Sequence, residues 1–198
     1  MTSKTEPDAS TDVTIAILNA AESCFERFGM TKTTMADVAR AANISRATVY
    51  RYFTDREALI TASIVRRAQV NMGPARAFIA SLPTIEDQIV EGICKDVQSG
   101  RQDPVVNMLV SPEEMELSTK LLNESGKAIE LTYELWGPIL SDAQESGKIR
   151  ADIDLRLLCE WISEIEIMYI SALTDDDGAL DRFKYKMRHF FVPSLLPR

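Results

Sequence analysis

Apolar residues recur along this chain at intervals of three and four, the period of an amphipathic helix, and the elements they predict are helical throughout. The first runs from about Asp12 to Phe28, with Leu18, Ala21, Phe25 and Phe28 as its inner stripe and Gly29 as its end. A second begins near Thr34, which stands three residues before Asp37 in the spacing of a capping box, and Val38, Ala41 and Ala42 give it one apolar face. The chain must then reverse sharply. Asn43 tolerates the left-handed backbone that such a turn needs, and Ile44 fills the angle between the helices. Ser45 caps a third helix, Arg46 to about Tyr52, with Val49 and Phe53 facing inward.

The remainder follows the same period. Thr54 to Glu57 reads as another capping box and opens a helix from Asp55 to about Met72, which Gly73-Pro74 breaks, leaving PARAFIASL as a separate turn. Pro83 and the cap in TIED open a helix from Ile85 to Ser99 with Ile89, Ile93 and Val97 inward, and Gly100 to Pro104 reads as a loop. PVVNMLV is short and apolar, of either type, and Ser111-Pro112-Glu113-Glu114 starts a helix that reaches about Asn123. Lys127 to Glu145 forms a longer helix that Gly137-Pro138 should kink and Gly147 closes. From Ile153 to Leu173, Arg156, Glu160, Ser163, Glu164 and Ser171 fall on one narrow polar stripe, with Glu166 an outlier among apolar positions. The last helix, Ala179 to Val192, sets Phe183, Met187, Phe190 and Phe191 against Lys184, Lys186 and Arg188.

Two short helices joined by a tight polar turn are a helix-turn-helix, and the outer surface of the second carries groove chemistry. Arg46, Ala47, Thr48, Tyr50 and Arg51 lie largely outward, and with the cap Ser45 they are candidate DNA contacts. Arginine pairs two-fold with guanine, threonine offers a hydroxyl or methyl, and tyrosine reaches phosphate. Tyr52 is open between a groove contact and packing on its neighbours.

The run from Ile17 to Ile60 resembles the N-terminal DNA-binding domain of the TetR family of bacterial transcriptional regulators. The matching residues are Ala21, Phe25 and Gly29, then Thr34 with Val38 and Ala39, then Tyr50-Arg51-Tyr52-Phe53 leading to Glu57 and Leu59. The resemblance implies an all-α chain of about nine helices: a tail over 1–10, a three-helix DNA-binding domain over 11–58, and a larger ligand-binding and dimerisation domain over 59–198. It also implies DNA contacts from Thr34, Arg46, Ala47, Thr48, Tyr50, Tyr52 and Arg56. Arg56 stands where the family has lysine, which keeps the charge and changes its geometry, and Asn43 replaces a common glycine. The fourth helix of the family links head to body, and its last two helices pair with those of a second subunit. Here that interface would draw on Trp161, Ile165, Phe183, Met187, Phe190 and Phe191. An effector pocket is implied in the body, where Met108, Met115, Tyr133, Trp136, Met168 and Tyr169 are candidate lining or core residues. Glu160, Glu164 or Glu166, if turned inward, would favour a cationic or hydroxyl-rich ligand.

Charge sharpens this picture. The net −8 is unevenly placed: residues 1–67 carry nine Lys/Arg against eight Asp/Glu, the remainder thirteen against twenty-two. A near-neutral reader on an acidic body confines DNA contact to one end. The first ten residues are polar, include one lysine and show no apolar period, so a disordered tail is expected. No apolar run approaches the roughly 20 residues needed to span a bilayer, so no membrane and a cytoplasmic location are expected. Cys24, Cys94 and Cys159 each sit in an apolar helical pattern and read as buried thiols, and His189 has no nearby ligand partner. No metal-ligand spacing, phosphate loop or nucleophile elbow is present, so neither catalysis nor a cofactor is expected. The expected function is a homodimeric repressor on a palindromic operator, released by a small-molecule effector. A DNA-binding activator or architectural protein without a ligand is the alternative, with a helical ligand-binding protein or enzyme behind it.

Overall fold

The computed structural model describes residues 9–118, 120, 126–174, 176 and 178–197, and among them every regular element is helical. The chain divides into two compact units between Arg66 and Arg67. The tail expected over 1–10 falls outside the described residues up to position 8, and Ala9 and Ser10 already belong to the first helix.

In the first unit α1 (Ala9–Phe28), α2 (Met35–Ala41), α3 (Arg46–Tyr52) and the start of α4 (Arg56–Ala80) enclose a core of Ile17, Leu18, Ala21, Phe25, Met30, Val38, Val49, Leu59 and Ile60. Phe28, expected in the inner stripe, is 40% exposed beneath the Arg27 guanidinium, because the helix ends there and Gly29 (φ 84) turns the chain away. Met30 takes the buried position instead. The inner face of α2 is Met35, Val38 and Ala39; Ala41 is exposed and Ala42 half-buried, so the apolar face lies one position from where the alanines suggested. Asp55, not Thr54, starts α4: its Oδ1 accepts the Ala58 N–H at 2.8 Å.

The second unit begins within α4, which runs unbroken through Gly73 and Pro74 to Ala80. The expected break is absent because proline removes one N–H and strands only the Val70 carbonyl, on a residue exposed enough for water to serve it. α5 (Ile85–Gln102) starts on the Thr84 cap and extends past Gly100, so the expected loop at 100–104 shrinks to Asp103. That aspartate closes α5 and caps α6 (Pro104–Leu109), with Oδ1 accepting the N–H groups of Val105 and Val106. The start at Ser111 is real but yields a 3₁₀ turn, Pro112–Glu114, and the single turn α7 (Met115–Ser118); its expected course to Asn123 falls largely outside the described residues.

α8 (Lys127–Glu145) carries Pro138 inside it, and the carbonyl that proline strands, Glu134 O, accepts Arg76 Nη2 at 2.7 Å. α9 (Leu155–Ala172), capped by Asp154, packs on α5 and α8 with Leu158, Cys159, Ile162, Ser163, Ile165 and Ile170 buried. Ser163, expected on the polar stripe, is thus inside. The outward face of α9 is instead Leu157, Trp161, Glu164 and Met168. The last rod comprises α10 (Ala179–Lys186), a π-helical segment (Met187–Phe191) and α11 (Val192–Leu195). Counting that rod once and setting the single turn α7 aside, nine helices remain among the described residues, as expected.

α5 is the central helix of this unit, and two glycines let its neighbours approach. A Cβ on Gly92 would stand 2.5 Å from Trp136 Cη2 and 3.0 Å from Ile79 Cγ1; one on Gly100 would stand 2.5 Å from Ile170 Cδ1. All three expected buried thiols, Cys24, Cys94 and Cys159, are buried and free, and burial pushes Cys94 up to about 12 and Cys159 to about 11. Gly92→Ala is expected to lower stability, because overpacking a rigid indole costs about 1–3 kcal/mol against a helix-propensity gain of at most about 1 kcal/mol. A thermal midpoint at or above that of the unchanged protein would refute the tight fit.

Candidate DNA-binding interface

Two caps and a turn shape the α2–turn–α3 unit. Thr34 caps α2 reciprocally: its Oγ1 accepts the Asp37 N–H at 3.2 Å, while Asp37 Oδ2 accepts both the Thr34 N–H at 3.1 Å and the Thr34 hydroxyl at 2.6 Å. The turn then depends on Asn43, the one non-glycine residue with positive φ (54°) among the described residues, and Ile44 is half-buried beneath it. Ser45 caps α3, its Oγ accepting the Thr48 N–H at 3.0 Å. Val49 and Phe53 are buried and hold α3 to the core.

With Val49 inward, α3 presents Arg46, Ala47, Tyr50 and Arg51 as exposed residues beside the exposed Ser45, and Thr48 and Tyr52 as half-buried ones. The sequence places all but Tyr52, which it leaves open, on the outside, and does not show that most of them are paired with one another. The Ser45 and Thr48 hydroxyls lie 2.8 Å apart. Arg46 Nη2 donates to the Tyr50 hydroxyl at 3.3 Å and its guanidinium lies 5.3 Å from that ring's centroid. Arg51 lies 5.2 Å over the Tyr52 ring. The i,i+3 and i,i+4 spacings were the available signal.

The flanks are tethered as well. The Arg56 guanidinium donates to the Thr31 carbonyl, in the loop that precedes α2. Thr33 is buried with its hydroxyl on Gly29 O at 2.7 Å, which sets the α1–α2 turn. At the exposed end of α2, Arg40 pairs with Asp37 at 3.2 Å. The Thr34 hydroxyl, then the Thr34 N–H and Arg40 hold the Asp37 carboxyl below the ordinary carboxylate range. Because this pKa is depressed by folding, the cap is at full strength above the ordinary carboxylate pKa and is lost as pH falls through the lowered one.

The other candidate residues scatter. Met108 and Tyr169 are half-buried, Tyr169 stacking on Phe183 at 3.9 Å; Tyr133 and Met168 are exposed; Trp136 is fully buried; the Met115 side chain lies outside the described set. A cleft of about 610 Å³ is lined by Gln98, Arg101, Gln102, Asn107 and residues near Thr174 and Asp181, and includes none of the six. Of the interface candidates, Ile165, Phe183 and Met187 are buried within the chain's own core, Phe191 is half-buried, and Trp161 (53%) and Phe190 (71%) are exposed. Lys184 and Arg188, expected opposite the apolar face, reach α5 instead, bonding Glu91 at 2.6 Å and Asp87 at 2.9 Å. Among the described residues no helix is long and apolar enough to cross a membrane, and no cluster of metal-ligating side chains occurs.

Residues 17–63 match a family model described as bacterial regulatory proteins, tetR family. The chain is 26% identical, over 83% of its length and 84% of the relative's, to an uncharacterised HTH-type transcriptional regulator of Mycobacterium bovis. Among solved structures it is similar to the TetR family repressor AlkX from Dietzia, implicated in biodegradation of n-alkanes: 26% identity, TM-score 0.66, covering 99% of this chain and all of that one. It shares its fold with the regulator FadR of Bacillus subtilis in complex with stearoyl-CoA, at 16% identity and TM-score 0.60, over 88% of this chain and 97% of that one.

Thr34→Ala is expected to cost about 1 kcal/mol through loss of the cap, and Thr34→Ser to recover most of it. Denaturant midpoints check both, and an alanine variant as stable as the parent would show that α2 does not depend on this box.

Proposed function

The chain belongs to the TetR family of bacterial transcriptional regulators and is a DNA-binding regulator, and from that premise we propose that it is a cytoplasmic homodimeric repressor released from a palindromic operator by a small molecule. The observation that carries this reading is the exposed face of α3, where arginine, hydroxyl and tyrosine groups are held in fixed pairs above a buried Val49. We assign DNA reading to residues 11–58, with Thr34, Ser45, Arg46, Ala47, Thr48, Tyr50, Arg51, Tyr52 and Arg56 as contacts, and ligand binding and self-association to 59–198.

A dimer follows from two considerations. One recognition helix discriminates by about 1–3 kcal/mol per good contact, so two heads related by a two-fold axis are needed to select a site, and they select a palindrome. The second unit also exposes an apolar surface that suits a second copy: Leu157, Trp161 and Met168 on one face of α9, and Tyr185 and Phe190 on the last rod. Release works by preference: a ligand that favours a body conformation whose paired heads are wrongly spaced for adjacent major grooves lowers operator affinity by the same factor by which DNA lowers ligand affinity.

Selection of genomic fragments by the purified protein is expected to enrich a palindrome, and Tyr50→Ala to enrich none. Equal enrichment by the variant would remove α3 from the groove. The double substitution Trp161→Glu and Phe190→Glu is expected to give a folded monomer in sedimentation equilibrium, with operator binding lost at concentrations where the parent is saturated. A variant that still sediments as a dimer would place the interface elsewhere.

A further inference from the structure

Helices α5, α8 and α9 bring Asp96, Trp136 and Glu166 together inside the second unit. Parts of both acidic residues reach the surface, but Asp96 Oδ2 and Glu166 Oε1 are shielded from solvent, and neither receives a hydrogen bond. Trp136 is fully buried, and its Nε1–H likewise lacks an aligned acceptor, although the indole lies close enough to act on both carboxyls. The edge of the ring lies against Gly92 of α5, where there is no side chain to hold it off. Two acceptors and one donor thus converge on one buried place with their bonding capacity unused.

Charge narrows what could use it. Desolvation raises Asp96 to about 7, opposed by the Trp136 N–H and by Lys95; desolvation and then the Asp96 charge hold Glu166 well above the ordinary range, opposed by Trp136. The Cys159 thiol of α9 is nearby, raised by burial and by Glu166 and opposed by Arg156, and α8 contributes the indole. Among the described residues no lysine or arginine forms an ion pair with either acid. An anion is repelled by the acidic second unit as a whole, and a neutral ligand gives the pair no opposite charge against which to ionise.

We propose that Asp96, Glu166 and Trp136 form the polar end of the effector site and recognise an organic cation, an amine or ammonium on an apolar body. This deepens the ligand-released reading above and rests on it. The ammonium bridges the two carboxyl groups through its N–H groups while the indole N–H holds one carboxyl oxygen in place. One of the two protons that keep the empty pair neutral leaves to solvent as the cation enters, so neutral pair plus ammonium becomes a singly ionised pair holding the ammonium, plus a free proton.

Calorimetry on the full-length protein with n-hexylammonium, 1-hexanol and hexanoate tests this, run at pH 6.5 in two buffers of different ionisation heat. The expected result is at least a tenfold preference for the ammonium over the alcohol, no hexanoate binding, and release of about one proton per cation bound, with affinity tightening from pH 6 to 8. Glu166→Gln and Asp96→Asn are each expected to abolish the preference. Equal binding of the three probes, no binding of the ammonium, or a preference that survives both substitutions overturns the inference. Should either variant misfold, the proton count and pH trend of the unsubstituted protein decide alone. Operator binding measured without any probe separates the two failures: a protein that binds its operator yet shows no ammonium preference sinks the cation site and leaves the regulator standing. One that finds no operator sinks the regulator, while the calorimetry still decides the site.

Discussion

The second unit depends on how closely other helices can come to α5. Two positions on that helix have no side chain, and each receives a neighbour: Trp136 from α8 lies over Gly92, and Ile170 from α9 over Gly100. A helix ordinarily keeps its neighbours about 8–10 Å away through its own side chains. Removing two of them lets bulky groups enter the space the helix would otherwise fill, and this brings Asp96 and Glu166 to the same indole. Close packing and buried acidity therefore have one cause. Further along, Lys184 and Arg188 bond to Glu91 and Asp87, so the last rod is fastened to α5 by charge as well as by burial.

The first unit works by a different economy, since its functional face is exposed and burial cannot order it. Order comes instead from short-range pairing. Ser45 with Thr48, Arg46 with Tyr50 and Arg51 with Tyr52 restrict side chains that would otherwise sample several rotamers in water. Immobilising a rotamer-rich side chain on binding costs about 0.5–1.5 kcal/mol, so a surface already restricted loses less when it meets a groove. The Arg56–Thr31 bond extends this restraint to the first residue of α4.

Much of this was legible in the sequence where the determining interaction is local. The Thr34–Asp37 box, the Ser45 and Thr84 caps, the left-handed Asn43 and the limits of α8 are all decided by residues within four positions of one another. Features decided at a distance were misread. Gly73-Pro74 is a break only if the stranded carbonyl has nowhere to turn, and here it sits on exposed Val70. Ser163 looks like part of a solvated stripe until α5 and α8 cover that side of α9. Glu166 broke the apolar pattern and was visible as an exception; its partners, 70 and 30 residues away at Asp96 and Trp136, were not.

The π-helical segment at Met187–Phe191 has a consequence for how this protein's outer face is encoded. Buried positions along the last rod step by four from Phe183 to Met187, by five to Val192 and by three to Leu195, and the step of five takes Phe190 out of line with its buried neighbours. Which aromatic ring the molecule offers to its surroundings is thus a matter of backbone length rather than of residue type. Shortening that turn by one position would regularise the helix and rotate everything beyond it by about 100° without altering a single retained side chain. The exposed stack of Tyr185 and His189, with Phe190 set edge-on to it, thus owes its last ring to the length of that turn.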